Sequence, residues 1–166
     1  MSGPHILVVC TANICRSPVG EALLRAQLQQ AGLGDWTVSS AGTWAESGHS
    51  ASQFSVILLK ERGLDIQAHC SQRVNGPLLA QCDLVLCMET THQKELREAF
   101  PAHRARIYTL RQMVDERGSV RDPYGGSRRQ YERMVMELEL LIDAGFPRIR
   151  KLAWENYQKR GEDGSS

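Results

Sequence analysis

The apolar positions of this 166-residue chain fall into short unbroken runs that alternate with stretches of helical spacing. Ile6-Leu7-Val8-Val9 has no polar alternation, the pattern of a strand covered on both faces. From residue 18 to 31 the period changes, with Val19, Ala22, Leu23, Ala26 and Leu28 mostly on one side. Pro18 suits a first helical turn, Ser17 is a candidate cap, and Gly32 and Gly34 break the pattern. Residues 36–40 predict a second strand, and residues 51–62 a helix closed by Gly63. A third buried strand is predicted over 84–88, a helix over 91–100 and a short fourth strand over 107–110. A long loop over 115–126 leads into a helix over 128–144, which Gly145 and Pro147 are expected to end or kink. A further helical stretch from Arg148 passes Leu152 and Trp154 before the chain reaches Gly-Glu-Asp-Gly-Ser-Ser. With no internal repeat or linker, the pattern predicts one domain over 1–155 and a charged, flexible tail over 156–166. Strands alternating with helices predict an α/β three-layer sandwich with a central four-stranded parallel sheet and helices on both faces.

Charge changes this picture little. Twenty basic residues face 19 acidic ones, so the overall field favours neither nucleic acid nor an anionic membrane, and any anion site must be local. No apolar run approaches the ~20 residues that span a bilayer. The opening Met-Ser-Gly-Pro-His lacks the basic start of an export signal, so a soluble, cytoplasmic protein is expected. Five cysteines, an odd number without framework spacing, fit free thiols in a reducing compartment. Cys82, Cys87 and His92 do not have zinc-ligand spacing and read as core and surface positions, so no metal is expected.

The chemistry concentrates between the first strand and the first helix, where open parallel sheets bind ligands. Backbone N–H groups and the helix dipole at such a junction suit a dianionic phosphate. Here the loop begins with a thiol, Cys10, and ends with a guanidinium, Arg16, followed by Ser17 and Pro18. Arg16 can hold two phosphate oxygens in a planar fork. The same dipoles favour the thiolate, and therefore nucleophilic, form of Cys10, to which Ser17 can donate a hydrogen bond. Cleavage of a phosphate ester also needs an acid for the departing oxygen, and Asp122 in Asp122-Pro123-Tyr124-Gly125-Gly126 is the candidate. Alone, Cys-x5-Arg and Asp-Pro are common patterns, read as packing and as a turn. Their pairing in a strand–loop–helix context carries the catalytic reading.

The run Val9-Cys10-Thr11-Ala12-Asn13-Ile14-Cys15-Arg16-Ser17-Pro18 resembles the signature of the low-molecular-weight protein tyrosine phosphatases. Ser40-Ala41-Gly42-Thr43, His69, Leu86-Cys87-Met88 and Asp122-Pro123-Tyr124 match that family in order and spacing, over most of the chain to about Leu152. The resemblance implies a phosphocysteine intermediate at Cys10, phosphate binding by the loop from Thr11 to Ser17, and Asp122 as general acid and base, without metal or organic cofactor. It also implies that Asn13, Ser17 and His69 hold the loop's shape, and that Cys15 forms a reversible disulfide with Cys10. Trp44 and Tyr124 are expected to wall the pocket mouth.

Two departures bear on the substrate. Ala12 stands where the family usually has glycine, and the segment from 44 to 52, with Asp-Pro-Tyr-Gly-Gly-Ser, resembles the bacterial branch that includes protein arginine phosphatases. Those enzymes carry a threonine before the second loop cysteine; here the residue is Ile14, as in the tyrosine phosphatases, and an apolar side chain suits an aryl ring. Phosphotyrosine is therefore the expected substrate, with phosphoarginine the alternative. Arsenate reduction through Cys82 and Cys87, and a non-catalytic phosphate-binding module, are further alternatives. The expected partner is a phosphorylated protein, with a bacterial tyrosine kinase as one candidate, and the expected state is a monomer.

Overall fold

A computed structural model describes residues 3–163. Nine principal elements follow in order: β1 (His5–Cys10), α1 (Arg16–Gln30), β2 (Thr37–Gly42), α2 (Gln53–Lys60), α3 (Gly76–Ala80), β3 (Leu84–Cys87), α4 (Thr90–Ala99), β4 (Ile107–Thr109) and α5 (Arg128–Asp163). The strands form one parallel sheet in the order β2-β1-β3-β4. Alternate residues of β1 enter different cores. Ile6, Val8 and Cys10 join α1 and α5 on one face, and Leu7 and Val9 join residues of α3 and α4 on the other. That is why β1 reads as an unbroken apolar run: both faces are covered.

The order reverses between β1 and β3, which leaves a crevice at the carboxyl ends of those two strands. Cys10 is the last residue of β1, and Glu89 follows β3 by two. At the end of β2 the backbone comes so close that a Cβ on Gly42 would lie 2.3 Å from the carbonyl oxygen of Thr11. Only glycine lets β2 support the loop at that point.

Three expectations are corrected and one element is added. Ser17 does not cap α1: the helix begins at Arg16, Cys15 holds the cap position without a side-chain bond, and Ser17 turns its hydroxyl to the loop. The short α3 is not predicted by the sequence pattern; five residues are too few for a visible period, although Asn75 caps it by accepting from the Leu78 N–H at 2.8 Å. Gly145 and Pro147 do not end the last helix, and α5 runs through both. Gly145 instead makes room for Met113, whose Cβ a methyl there would approach to 2.8 Å. Pro147 removes one helical hydrogen bond, and Ile149 and Ala153 beyond it are buried, so the helix continues past it.

The third correction concerns the tail. Residues 156–163 are helical, and this part of α5 is tied down. Arg160 places Nε 2.7 Å from Oδ1 and an Nη 3.1 Å from Oδ2 of the fully buried Asp83, while Asn156 donates to the Asp83 carbonyl. Trp154 stacks on Trp36 with centroids 6.5 Å apart. The remaining tail, 164–166, lies outside the described residues. Among the described residues no helix is long and apolar enough to cross a membrane.

Candidate active site

The loop from Cys10 to Arg16 turns on Asn13, whose φ of 60° is left-handed. Asparagine is one of the few side chains found there with any frequency. Ala12, by contrast, has no positive φ, so a methyl at the position where glycine was expected meets no backbone objection. Asn13 is fully buried, and its side-chain polar atoms and its carbonyl are all engaged. Its Nδ2 donates to Ser17 Oγ at 2.7 Å and Ser40 Oγ at 2.9 Å, and its Oδ1 accepts from the Gln72 N–H at 3.0 Å. Its carbonyl accepts from His69 Nε2 at 2.7 Å. The network locks a strained turn from four directions. With Ser17 Oγ accepting from Asn13, its proton is free to point at Cys10 Sγ, 2.9 Å away.

Arg16 is 1% exposed, and its guanidinium is divided. One Nη lies 2.7 Å from Glu89 Oε2 and donates to the Val120 carbonyl at 2.8 Å. The other lies 3.5 Å from Asp122 Oδ2 and donates to Thr11 Oγ1 at 3.4 Å. Among the described residues nothing accepts from its Nε. A buried donor left in this way, beside the loop, marks where an anion's oxygen belongs. Both Nη groups thus have partners within the chain, and Nε is the guanidinium donor left without an acceptor among the described residues.

Glu89 is fixed in turn by His92. The Glu89 N–H donates to His92 Nδ1 at 3.1 Å, so that nitrogen is an acceptor and Nε2 carries the proton, facing Thr11 Oγ1 at 2.8 Å and Glu89 Oε2 at 3.3 Å. Burial pushes the imidazole down to about 4 against the opposing pull of Glu89, so the ring is neutral at pH 7. The sequence pattern presents His92 as a bystander and does not single out Glu89, Val120 or Gln72, and Ser40 enters only as part of a motif with no role of its own. A signal was present in Glu89-Thr90-Thr91-His92, which has the spacing of a reciprocal helix cap.

Asp122 comes from the long loop before α5, which is pinned rather than loose. The fully buried Val120 donates its N–H to the Met88 carbonyl at 2.7 Å and accepts from Arg16 through its own carbonyl. Thr90 N–H and Arg111 Nε bond to the neighbouring Ser119. Asp122 Oδ1 accepts from the Tyr124 N–H at 3.1 Å. Cys10, Thr11, Ala12, Ile14, Cys15, Arg16, Asp122 and Tyr124 all line one cavity of about 330 Å³. Trp44 is not part of that lining. Its indole is exposed and lies under the Arg73 guanidinium, 4.9 Å from the ring centroid. Cys15 Sγ lies 3.3 Å from the Tyr131 hydroxyl, and burial pushes its thiol up.

A family profile described as low molecular weight phosphotyrosine protein phosphatase matches residues 5–153. The chain belongs to this family. Among its relatives, the probable low molecular weight protein-tyrosine-phosphatase EpsP of Ralstonia nicotianae is 36% identical over 147 residues, covering 89% of this chain and 97% of EpsP. A protein-arginine-phosphatase of Geobacillus stearothermophilus is 38% identical over 140 residues, covering 84% of this chain and 91% of the relative. The crystal structure of a low molecular weight protein tyrosine phosphatase from T. tengcongensis superposes with a TM-score of 0.83 at 36% identity, over 88% of this chain and 99% of that one. The parallel α/β architecture of this phosphatase is the one expected from its sequence.

Proposed function

We propose that this phosphatase hydrolyses phosphotyrosine in proteins through a phosphocysteine intermediate at Cys10. The observation that carries the reading is the meeting of three groups on one cavity: a buried thiol, a guanidinium with an unpartnered Nε, and an acidic side chain. The phosphate sits in the loop with Arg16 Nε and its neighbouring Nη on two oxygens. The Cys10 thiolate attacks phosphorus, the bond from phosphorus to the tyrosyl oxygen breaks, and Asp122 delivers a proton to that oxygen. Water then attacks phosphorus, Asp122 takes its proton, and the thiolate leaves as inorganic phosphate forms. Ser17 Oγ, 2.9 Å from Cys10 Sγ, stabilises the thiolate at both ends of the cycle.

Ile14, Ala12 and Tyr124 present apolar surface to the cavity, which suits an aryl leaving group. A second reading, phosphoarginine hydrolysis, is favoured by the 38% identity to a protein-arginine-phosphatase. Arsenate relay is disfavoured by the setting of Cys82 and Cys87. Both are buried in the core on the opposite face of the sheet, where burial pushes the Cys82 thiol up to about 12 and raises Cys87 as well. A tyrosine kinase as the phosphorylated partner, a monomeric state and a Cys10–Cys15 redox pair belong to the same proposal.

Kinetics on matched phosphotyrosine and phosphoarginine peptides decide the substrate, and kcat/KM higher on phosphoarginine overturns the tyrosine reading. Cys10→Ser should abolish turnover while vanadate or phosphate binding persists. Asp122→Asn should lower kcat about 10²- to 10³-fold on phosphotyrosine.

A further inference from the structure

Thr11 follows the nucleophile directly, and its hydroxyl is closely constrained. Its Oγ1 lies 2.8 Å from His92 Nε2 and 3.4 Å from an Nη of Arg16. A guanidinium nitrogen can only donate. The His92 contact has the same sense, because Nδ1 of that ring accepts the Glu89 N–H and the proton is therefore on Nε2. Thr11 Oγ1 thus receives two hydrogen bonds, which is the accepting capacity of a hydroxyl. Its own proton is left over. Among the described residues the hydroxyl has no third partner, and Thr11 lines the cavity that also holds Cys10, Arg16 and Asp122. With His92 and Arg16 closing one side of the oxygen, the O–H is left the open side. A half-buried donor without an acceptor is a group awaiting one.

We propose that the Thr11 hydroxyl donates to an oxygen of the phosphoryl group, beside the donors of the loop backbone and of Arg16. The inference rests on the phosphocysteine reading given above and adds a side chain that touches the substrate. An anionic oxygen suits this proton, since hydrogen bonds to a charged acceptor are the strong ones. The Arg16 contact is long and is readily surrendered as the guanidinium takes up an oxygen of its own. The shorter His92 bond keeps the accepting side of the hydroxyl turned to the ring. His92, buried and not part of the cavity lining, is then a positioning residue: it makes Thr11 give a proton to the substrate rather than take one.

The test compares Thr11→Val, which keeps the shape and loses the hydroxyl, with Thr11→Ser, which keeps the hydroxyl. Inhibition constants for inorganic phosphate and orthovanadate are read beside kcat and KM on aryl phosphates whose phenols differ in pKa. Valine should weaken phosphate and vanadate binding and raise KM by about tenfold, and serine should recover most of that loss. Because the hydroxyl meets the phosphoryl group and not the ester oxygen, the factor should be the same for good and poor leaving groups. A loss that grows with the pKa of the phenol places the damage at Asp122, through the Arg16 nitrogen it shares with Thr11, and overturns the proposal. So do phosphate and vanadate constants that valine leaves unchanged. A hydroxyl that serves only to satisfy His92 is told apart by repeating the valine substitution in a His92→Leu background. The loss should persist there, and its disappearance overturns the proposal; if urea unfolding shows that background unfolded, the leaving-group series decides alone. A wild-type enzyme that binds neither phosphate nor vanadate overturns the phosphate site itself, and Thr11 with it.

Discussion

Glu89 illustrates how a residue that never touches phosphate can govern its binding. Its carboxylate lies 2.7 Å from Arg16 and holds one Nη of the guanidinium we propose to bind phosphate. Replacing Glu89 with Gln keeps the shape but removes the charge that fixes a buried cation. We expect kcat/KM to fall about tenfold, mainly through KM, with stability lower by about 1–3 kcal/mol. Steady-state kinetics and urea unfolding on the same preparation check both. Asn13 makes a different test possible, because its backbone and side chain have separable roles. Asn13→Gly tolerates the 60° φ but loses the side-chain bonds, whereas Asn13→Ala loses the bonds and is strained by about 1–2 kcal/mol. The alanine variant should be the less stable of the two, and a reversed order would show that the turn carries little strain.

At the level of elements, the sheet and the nucleophile loop are legible in the sequence because each depends on local pattern. Unbroken apolar runs mark β1 and β3, a short β-branched and aromatic run marks β4, and the change of period after Pro18 marks α1. Cys10 and Arg16 can be named because a thiol and a guanidinium bracket a strand-to-helix loop, and Asp122 because it stands in the register of the family the loop resembles. Legibility fails where a residue's importance comes from its backbone or from a distant partner. Val120 matters through its own N–H and carbonyl, which no side-chain pattern reveals. The second half of α5 reads as broken because Gly145 and Pro147 are helix breakers by propensity, and packing against Met113 overrides them. Trp44 reads as a pocket wall because an aromatic in a loop near the site invites it, and the partner it finds is Arg73.

For the molecule as a whole, two buried polar centres set the response to pH and to truncation. His92 binds its proton at about 4 when folded, against 6.5 for an unperturbed histidine. Above pH 6.5 the ring is neutral in both the folded and the unfolded chain and costs nothing. Between 6.5 and about 4 the unfolded chain takes up a proton that the folded chain refuses, so stability falls as pH falls. His5, lowered by burial, acts in the same direction. Going from about pH 7 to about pH 5 should lower the unfolding free energy by about 1–2 kcal/mol through His92, and His92→Asn should flatten that slope. At the other centre, Arg160→Ala strands the buried Asp83 carboxylate. It should destabilise by about 1–3 kcal/mol in thermal or urea unfolding, a figure reduced because the guanidinium is partly exposed.

Val120 joins these scales. Its carbonyl is held by Arg16 and its amide by Met88, so the group we propose to grip phosphate also holds the loop bearing the proposed acid, Asp122. Affinity for the transferred group and aim of the proton donor cannot then be varied separately. An Arg16→Lys enzyme should lose more than phosphate affinity: its rate should depend more steeply on how good a leaving group the phenol is. A series of substituted aryl phosphates would display that as a steeper Brønsted line, because poor leaving groups depend most on the acid and lose most when it is displaced.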